Sequence, residues 1–327
     1  MIVLGIESSC DETGVAIVKD GRHVLANIVA SSLKLHSKYG GVIPEIASRM
    51  QLESIAGVFS ESLKVARIKA EEIDLISLTV KPGLPGSLLV GISFAKALAL
   101  SLNKPLLGIN HLYRHVYANF LCHRNIKLPS VALVVSGGHT TLFFINDFSK
   151  IQAIGQTQDD ACGEAFDKVA KILGAGYPGG PLIEKLAKRG NKERIKFACS
   201  GTKRELDFSF SGIKTAVLYY TKGKKINLAL KEDLAASYQE SVIDTLIKKA
   251  LLACRRKNVK QLLIGGGVAA NSRLRQKFMA VAKESGISCF FPSIDLCMDN
   301  AAMVSGLAYQ LYKQGARSDL YLNTQLN

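Results

Sequence analysis

The chain alternates between short apolar runs and longer stretches of helical spacing, and it does so twice. Ile2–Ser8 is mostly apolar and ends on polar residues, which predicts a buried strand. Val15–Val18 and His23–Ala30 follow as two more strands, with Asp20-Gly21 as the hairpin turn between them. A helix is expected over Pro44–Val65 and a strand over Leu75–Val80. The Gly/Pro loop Pro82–Ser87 then leads into a helix over Leu88–Leu102, a strand over Pro105–Ile109 and a helix from Asn110. The order recurs with strands over Ser130–Val135, Thr141–Ile145 and Ile151–Gln156. Further on come a strand over Gln261–Ile264, the glycine-rich loop Gly265–Asn271, a helix over Ser272–Glu284, a strand over Ile287–Phe291 and a last helix from about Asn300. The pattern is a doubled β-β-β-α-β-α-β plan, an α/β chain of two lobes. The lobes are expected at 1–125 and 126–327, the second carrying a helical insertion at about 160–258, with the final helix able to pack back on the first lobe. No apolar run reaches the ~18 residues that a bilayer crossing needs, so no membrane partner is expected. The apolar start has no basic leader and reads as a first strand rather than a signal peptide.

Composition sharpens this picture in two places. Apolar residues make up 48% of 327 positions and aromatics only 7%, with no Trp, which suits aliphatic α/β cores. Seven cysteines, an odd number with no C-x-x-C pair, argue against a disulfide framework or a cysteine zinc site and favour a reducing cytoplasm. Cys10, Cys162 and Cys297 lie beside motifs, but read better as small buried hydrophobes than as nucleophiles. The net charge is +15, and residues 184–260 hold 19 Lys/Arg against 8 Asp/Glu, an excess of 11. An excess so localised points to a polyanion gripped through its phosphates, with strong salt dependence.

His111 and His115 sit one turn apart on one face of their expected helix, where they can share a metal ion. The spacing is that of the zinc-peptidase signature, but Leu112 stands where the peptidase general base would be. Asp299, before the last helix, falls in the doubled plan on the opposite lobe and becomes the natural third ligand. Two His and one carboxylate suit Fe(II) or Zn(II). Asp11 and Glu12 occupy the first strand–turn, either as a general base or beside a metal-bound phosphate, or as part of an ordinary turn that Asp and Gly favour. The matching turn of the second lobe, Ser136-Gly137-Gly138-His139-Thr140, can aim backbone N–H groups at an anion. Asn271, closing the loop Gly265–Asn271, either caps the next helix or contacts a base or phosphate. Within Asp160–Lys168, Glu164 and Asp167 either hold a ribose hydroxyl or serve the helix dipole. Tyr177–Pro181 is a rigid turn, and Phe208–Lys214 sets serines and a lysine between aromatics. Neither a P-loop nor a G-x-G-x-x-G fingerprint is present.

The doubled plan is that of the actin, hexokinase and Hsp70-type ATPase fold, with nucleotide and metal expected in the cleft between lobes. Together with Tyr39–Arg49, the motifs resemble the universal tRNA threonylcarbamoyltransferase family, formerly described as O-sialoglycoprotein endopeptidases. The resemblance covers essentially the whole chain. It implies transfer of a threonylcarbamoyl group from threonylcarbamoyl-AMP to the N6 amine of the adenosine 3′ of the anticodon, in tRNAs reading codons that begin with A, with release of AMP. It implies one divalent metal on His111, His115 and Asp299, with Fe(II) favoured over Zn(II) or Mg(II). Nucleotide or acyl-adenylate contacts would come from Ser136, Gly137, Gly138, His139, Thr140, Asp167, Gly180 and Asn271, with Asp11 and Glu12 near the chemistry. The partners implied are tRNA, a paralogous ATPase-fold subunit, a small P-loop ATPase and a separate synthase for the acyl-adenylate, in the cytoplasm. Three departures surround the ligands. Tyr113-Arg114 stand where many bacterial relatives have Glu-Gly or similar, Met50-Gln51 where a histidine is frequent, and Met298 where threonine is usual. Two other readings remain. A metallopeptidase would need Glu12 to activate water at a distance, and a non-catalytic scaffold of the same fold should have lost the ligands and glycine turns.

Overall fold

The computed structural model describes residues 1–199 and 201–324, in two compact units: Met1–Arg124 together with the segment from Pro292 onward, and Asn125–Phe291. The first unit is built on strands β1 (Ile2–Glu7), β2 (Glu12–Lys19) and β3 (His23–Ser31). A short helix α1 (Leu33–His36), the long helix α2 (Pro44–Ala66), β4 (Leu75–Lys81), α3 (Pro85–Leu102), β5 (Leu106–Asn110) and α4 (His111–Cys122) follow. The sheet order is β3-β2-β1-β4-β5. β1 runs antiparallel to β2 and parallel to β4, so it lies at the centre and is buried on both faces, as its continuous apolar run predicts. Asp20 and Gly21 both take positive φ, 52° and 71°, the conformation a tight hairpin between twisted strands demands.

The second unit repeats the plan with β6 (Ser130–Val135), β7 (Thr140–Asp147), β8 (Lys150–Gln156) and then four helices, α5 (Cys162–Ile172), α6 (Gly179–Ala187), α7 (Ser211–Thr221) and α8 (Leu228–Lys257). It closes with β9 (Gln261–Gly265), α9 (Ser272–Glu284) and β10 (Ser288–Phe290). Its sheet order, β10-β9-β6-β7-β8, has the same relations: β6 antiparallel to β7 and parallel to β9. The basic, helical stretch anticipated between the two halves of this unit is α5 to α8.

The last helix, α10 (Ala302–Lys313), belongs to the first unit. Its inner face is made of small residues, Ala302, Ser305, Gly306 and Ala308, all buried. A Cβ at Gly5 of β1 would lie 2.3 Å from Ser305 Oγ and 2.4 Å from the Ala301 carbonyl, so only glycine admits this close docking. The segment before α10 is thereby carried onto β1. One expectation about apolar runs changes. Helix α3 begins at Pro85, not Leu88, and at 18 residues is long and apolar enough to cross a bilayer by length and composition. It places Leu88, Ile92, Ala95 and Ala99 in the core of the first unit beside Ile6, Ile76 and Leu78.

Candidate active site

In the first unit the end of β1, the start of α4 and the segment before α10 bring charged and donor side chains together. Asn110 caps α4, its Oδ1 accepting from the Leu112 and Tyr113 N–H groups at 2.8 and 3.3 Å. His111 and His115 then lie on one face, rings edge to face with centroids 4.9 Å apart, and both are buried. Asp299 joins them, with Oδ1 3.1 Å from His115 Nε2. The carboxylate predicted to come from the opposite lobe therefore comes from the same unit, because α10 docks on β1. Cys10 is a further donor. Single ligand atoms of Cys10, His111 and Asp299 all lie within 4.8 Å of one another. Cys10, read from the sequence as a small buried hydrophobe, is half-buried, and burial pushes its thiol up.

Two residues outside the predicted ligand set, one of them noted only as a departure from the family pattern, organise the cluster. Glu7, at the end of β1, is 1% exposed, and Arg114 has no exposed surface at all. Arg114 Nε lies 2.8 Å from Glu7 Oε2, and Arg114 Nη2 donates to Asp299 Oδ1 at 2.9 Å. Glu7 also accepts from the Ser9 backbone N–H at 2.8 Å and from the hydroxyls of Ser9 and Thr79. Ser9 Oγ lies 2.7 Å from His111 Nδ1. Gln51 spans the adjoining turn, donating from Nε2 to the carbonyls of Cys10 at 2.9 Å and Glu12 at 3.1 Å.

The electrostatics set the protonation states. Burial opposes charge on Asp299, but the Arg114 guanidinium and the two imidazoles overcome it and hold this carboxyl well below the usual range. Burial, reinforced by Arg114, pushes His115 down, so its imidazole is neutral and able to ligate. Burial first, then Asp299 and Asp11, push Glu12 up to about 10. A shift of that size favours the protonated form of Glu12 at neutral pH. The donor set fits a divalent cation. Both ring nitrogens of His115 are buried without a hydrogen bond of good geometry, beside an ionised carboxylate and within a cluster of N, O and S donors.

In the second unit the turn after β6 and the glycine loop after β9 lie at the same edge of adjacent parallel strands. The turn from Ser136 to Thr140 is tied to the start of α5. Gly163 N–H donates to Ser136 O at 3.0 Å, Cys162 N–H to Thr140 Oγ1 at 2.8 Å, and His139 N–H to Ser136 Oγ at 3.1 Å. The hydroxyls of Ser136 and Thr140 thus accept from backbone N–H groups within the turn and at the start of α5. Gly137 and Gly138 are exposed, and no protein atom lies within 4 Å of a Cβ placed at either or at Gly180. Open backbone at a strand end beside helix N-termini is the arrangement that receives phosphate. Gly266, at φ 90°, would put a Cβ 2.4 Å from the Val135 carbonyl, so glycine is required there by packing.

Asp167 and Gly180 come together, as Asp167 Oδ1 accepts from the Gly179 N–H at 2.6 Å at the start of α6. Burial raises the Asp167 carboxyl against the pull of the Gly179 and Gly180 amides. Asn271 is the cap of α9, accepting from Leu274 N–H at 2.9 Å, and its Nδ2 donates to Gln239 at 2.8 Å. The capping role read for Asn271 is thus formed. Glu164 reaches back to the Ala161 N–H at 3.2 Å, a cap for α5. The Phe208–Lys214 motif is clamped to the preceding aspartates. Asp159 accepts from the Phe210 N–H at 2.7 Å and from Ser211 Oγ at 2.8 Å, and Asp160 pairs with Lys214 at 2.9 Å.

Comparison with known proteins agrees with this architecture. Component A of the (R)-2-hydroxyglutaryl-CoA dehydratase of Acidaminococcus fermentans superposes with a TM-score of 0.56 at 18% identity, covering 96% of this chain and 99% of that one. HypF of T. kodakarensis gives 0.66 at 15% identity, over 96% of this chain and 48% of its own. Likeness at such low identity concerns the fold, the duplicated ATPase-type α/β plan. In sequence, a tRNA N6-adenosine threonylcarbamoyltransferase of Clostridium beijerinckii is 49% identical over 332 positions, covering all of this chain and 97% of the relative. One from Thermosipho africanus is 48% identical over 328 positions, covering all of this chain and 99% of its own. The family model described as tRNA N6-adenosine threonylcarbamoyltransferase matches residues 23–306. With near half of all positions shared along its entire length, the chain belongs to the tRNA N6-adenosine threonylcarbamoyltransferase family.

Proposed function

We propose that the chain transfers the threonylcarbamoyl group of threonylcarbamoyl-AMP to the N6 amine of the adenosine 3′ of the anticodon, in tRNAs that read codons beginning with A. The observation that carries the reading is the full-length match to relatives of that activity. In the reaction the N6 nitrogen bonds to the carbamoyl carbon, the bond from that carbon to the phosphate oxygen breaks, AMP leaves with the electron pair, and N6 gives up a proton. His111, His115 and Asp299 would hold the divalent ion, Fe(II) by preference and Zn(II) or Mg(II) as alternatives, with Cys10 as an adjoining soft donor. When bound, the ion supplies Lewis-acid polarisation of an acyl oxygen.

The remaining roles belong to the chain itself. Neutral His115 and ionised Asp299 are ready to ligate without first exchanging protons. Glu12, pushed up to about 10 by burial, is suited to donate to a substrate oxygen, and half-buried Asp11 stands beside it to assist deprotonation or orient the amine. The open backbone at Gly137, Gly138 and Gly180 is suited to the AMP phosphate, with Ser136, His139, Thr140, Asp167 and Asn271 shaping those turns. The basic stretch within 184–260 suits tRNA phosphates. A paralogous ATPase-fold subunit, a small P-loop ATPase and a separate acyl-adenylate synthase complete the reading, in a cytoplasmic setting. A peptidase is disfavoured by Leu112 and by the proton that Glu12 retains.

The test incubates the purified chain and its partners with threonylcarbamoyl-AMP and unmodified tRNA, with and without chelator, followed by nucleoside analysis. His111→Ala should lower transfer by at least ~100-fold, the scale for losing a group that stabilises transition-state charge. Transfer at the wild-type rate by His111→Ala, unaffected by chelator, would exclude the metal role.

A further inference from the structure

The guanidinium of Arg114 already neutralises part of the proposed metal site. Its Nη2 lies 2.6 Å from His111 Nδ1 and 2.9 Å from Asp299 Oδ1, while Nε pairs with Glu7 at 2.8 Å. Two of the three residues expected to hold a divalent ion thus face a cation from their own unit. The chemistry of His111 makes the conflict sharper. A metal bound to imidazole nitrogen sits at about 2.0–2.1 Å. Bound through Nδ1, it would need the space that Nη2 fills. Bound through the other ring nitrogen, it would require the proton of the neutral ring to sit on Nδ1. A guanidinium has donors only, so an Arg114 N–H aimed at Nδ1 excludes a proton there. By either nitrogen, His111 can ligate only after Arg114 has withdrawn from it. Ser9 Oγ, 2.7 Å from Nδ1, is the acceptor in place for that proton once Arg114 has moved.

We propose that Arg114 is a built-in cation that competes with the divalent metal for His111 and Asp299, so that metal affinity in this chain is set by displacement of the guanidinium. Two observations make the displacement feasible. Arg114 Nη1 is buried without a hydrogen-bond partner, so the guanidinium is incompletely satisfied where it lies. Glu7 holds the Nε end independently of the donor cluster, which gives Arg114 an anchor about which the other end can move. In the absence of metal the same guanidinium keeps the buried carboxylate of Glu7 and the partly exposed one of Asp299 from facing each other unpaired. Arg114 therefore sets the affinity of the site for a divalent ion without being a ligand. The inference rests on the metal reading given above.

Calorimetric titration of the full-length protein with Zn(II) alone and with Mn(II) alone tests it, using wild type, Arg114→Ala, Arg114→Gln and Arg114→Lys. The neutral variants should bind each ion at least ~10-fold more tightly, the low end of coupling between close buried charges. Arg114→Lys, which keeps the charge, should stay near wild type. Guanidinium chloride at low, non-denaturing concentration should weaken Zn(II) binding to Arg114→Ala and leave wild type unchanged. In thermal melts Arg114→Ala should start below wild type and gain more from Zn(II). If Arg114→Ala does not fold, Arg114→Gln, which keeps bulk and hydrogen-bonding groups, carries the comparison. Equal or weaker affinity in the neutral variants overturns the competition and leaves the metal reading standing. Absence of binding in every protein overturns the metal reading, and the competition with it.

Discussion

Glu7 holds the first unit's polar centre together, and its removal should be costly. It is 1% exposed, accepts from the Ser9 N–H and from the Ser9 and Thr79 hydroxyls, and forms an ion pair with Arg114, whose Nε lies 2.8 Å away. Glu7→Gln preserves the shape, removes the charge and turns one acceptor into a donor. At least one of these partners then meets an N–H where it needs an oxygen. Breaking a buried ion pair by removing one partner costs about 3–5 kcal/mol. For a unit of this size that corresponds to a fall of about 10 °C in melting temperature. Wild type, Glu7→Gln, Arg114→Met and the double variant should be compared by urea unfolding followed by circular dichroism. Each single variant should lose about 3 kcal/mol, and the double variant should lose less than the two together, with a coupling of about 2 kcal/mol. A coupling below about 0.5 kcal/mol, the level of independent sites, would refute the claim that the pair organises the cluster.

Two further perturbations probe the second unit. Although burial opposes it, Arg273 and Lys277 hold Glu240 down at about 2, from an ordinary value of 4.5. A depressed carboxylate stabilises above its unfolded value and loses that stability as pH falls through its folded one. The advantage of wild type over Glu240→Gln, about 1–2 kcal/mol after allowance for solvent screening, should shrink steadily between about pH 5 and pH 2; a gap independent of pH in urea titrations counts against the ion-pair account. Gly266→Ala, forced to φ 90° with its Cβ 2.4 Å from the Val135 carbonyl, should lose about 2–4 kcal/mol. Gly137→Ala, with open space around the new methyl, should be neutral in stability while weakening AMP binding; equal destabilisation of the two would mean that the turn after β6 serves packing alone.

The doubled strand and helix pattern was legible because central strands such as Ile2–Glu7 and Ser130–Val135 are buried on both faces and so must be apolar throughout. The two histidines were legible because helical spacing fixes which side chains share a face. The origin of Asp299 was not. The doubled plan predicts corresponding turns on opposite lobes, but a helix goes where its surface fits. The close approach of Gly5 to Ala301 and Ser305 decides that fit, and hydrophobic periodicity does not record such detail. Capping hid other roles: a helix N-terminus needs acceptors, so Asn271 and Asp167 look alike whether they serve backbone or ligand.

Arg114 shows most clearly why the rest was not readable. It sits at i+3 from His111, on the histidines' own face, yet an arginine in a helix is by default a solvated residue. Only a carboxylate delivered from elsewhere can bury it, and Glu7 arrives from the end of β1, far away in the sequence. A departure from the family's usual residues therefore looked like a change beside the metal ligands, when in space it points into their midst. The guanidinium touches Glu7, Asp299 and His111 at once, so the sequence change at this position alters the charge of the site rather than its periphery. In this chain the strength of metal binding should thus depend on a residue that is not itself a ligand, and exchange at position 114 is the change to which the site should be most sensitive short of losing a ligand.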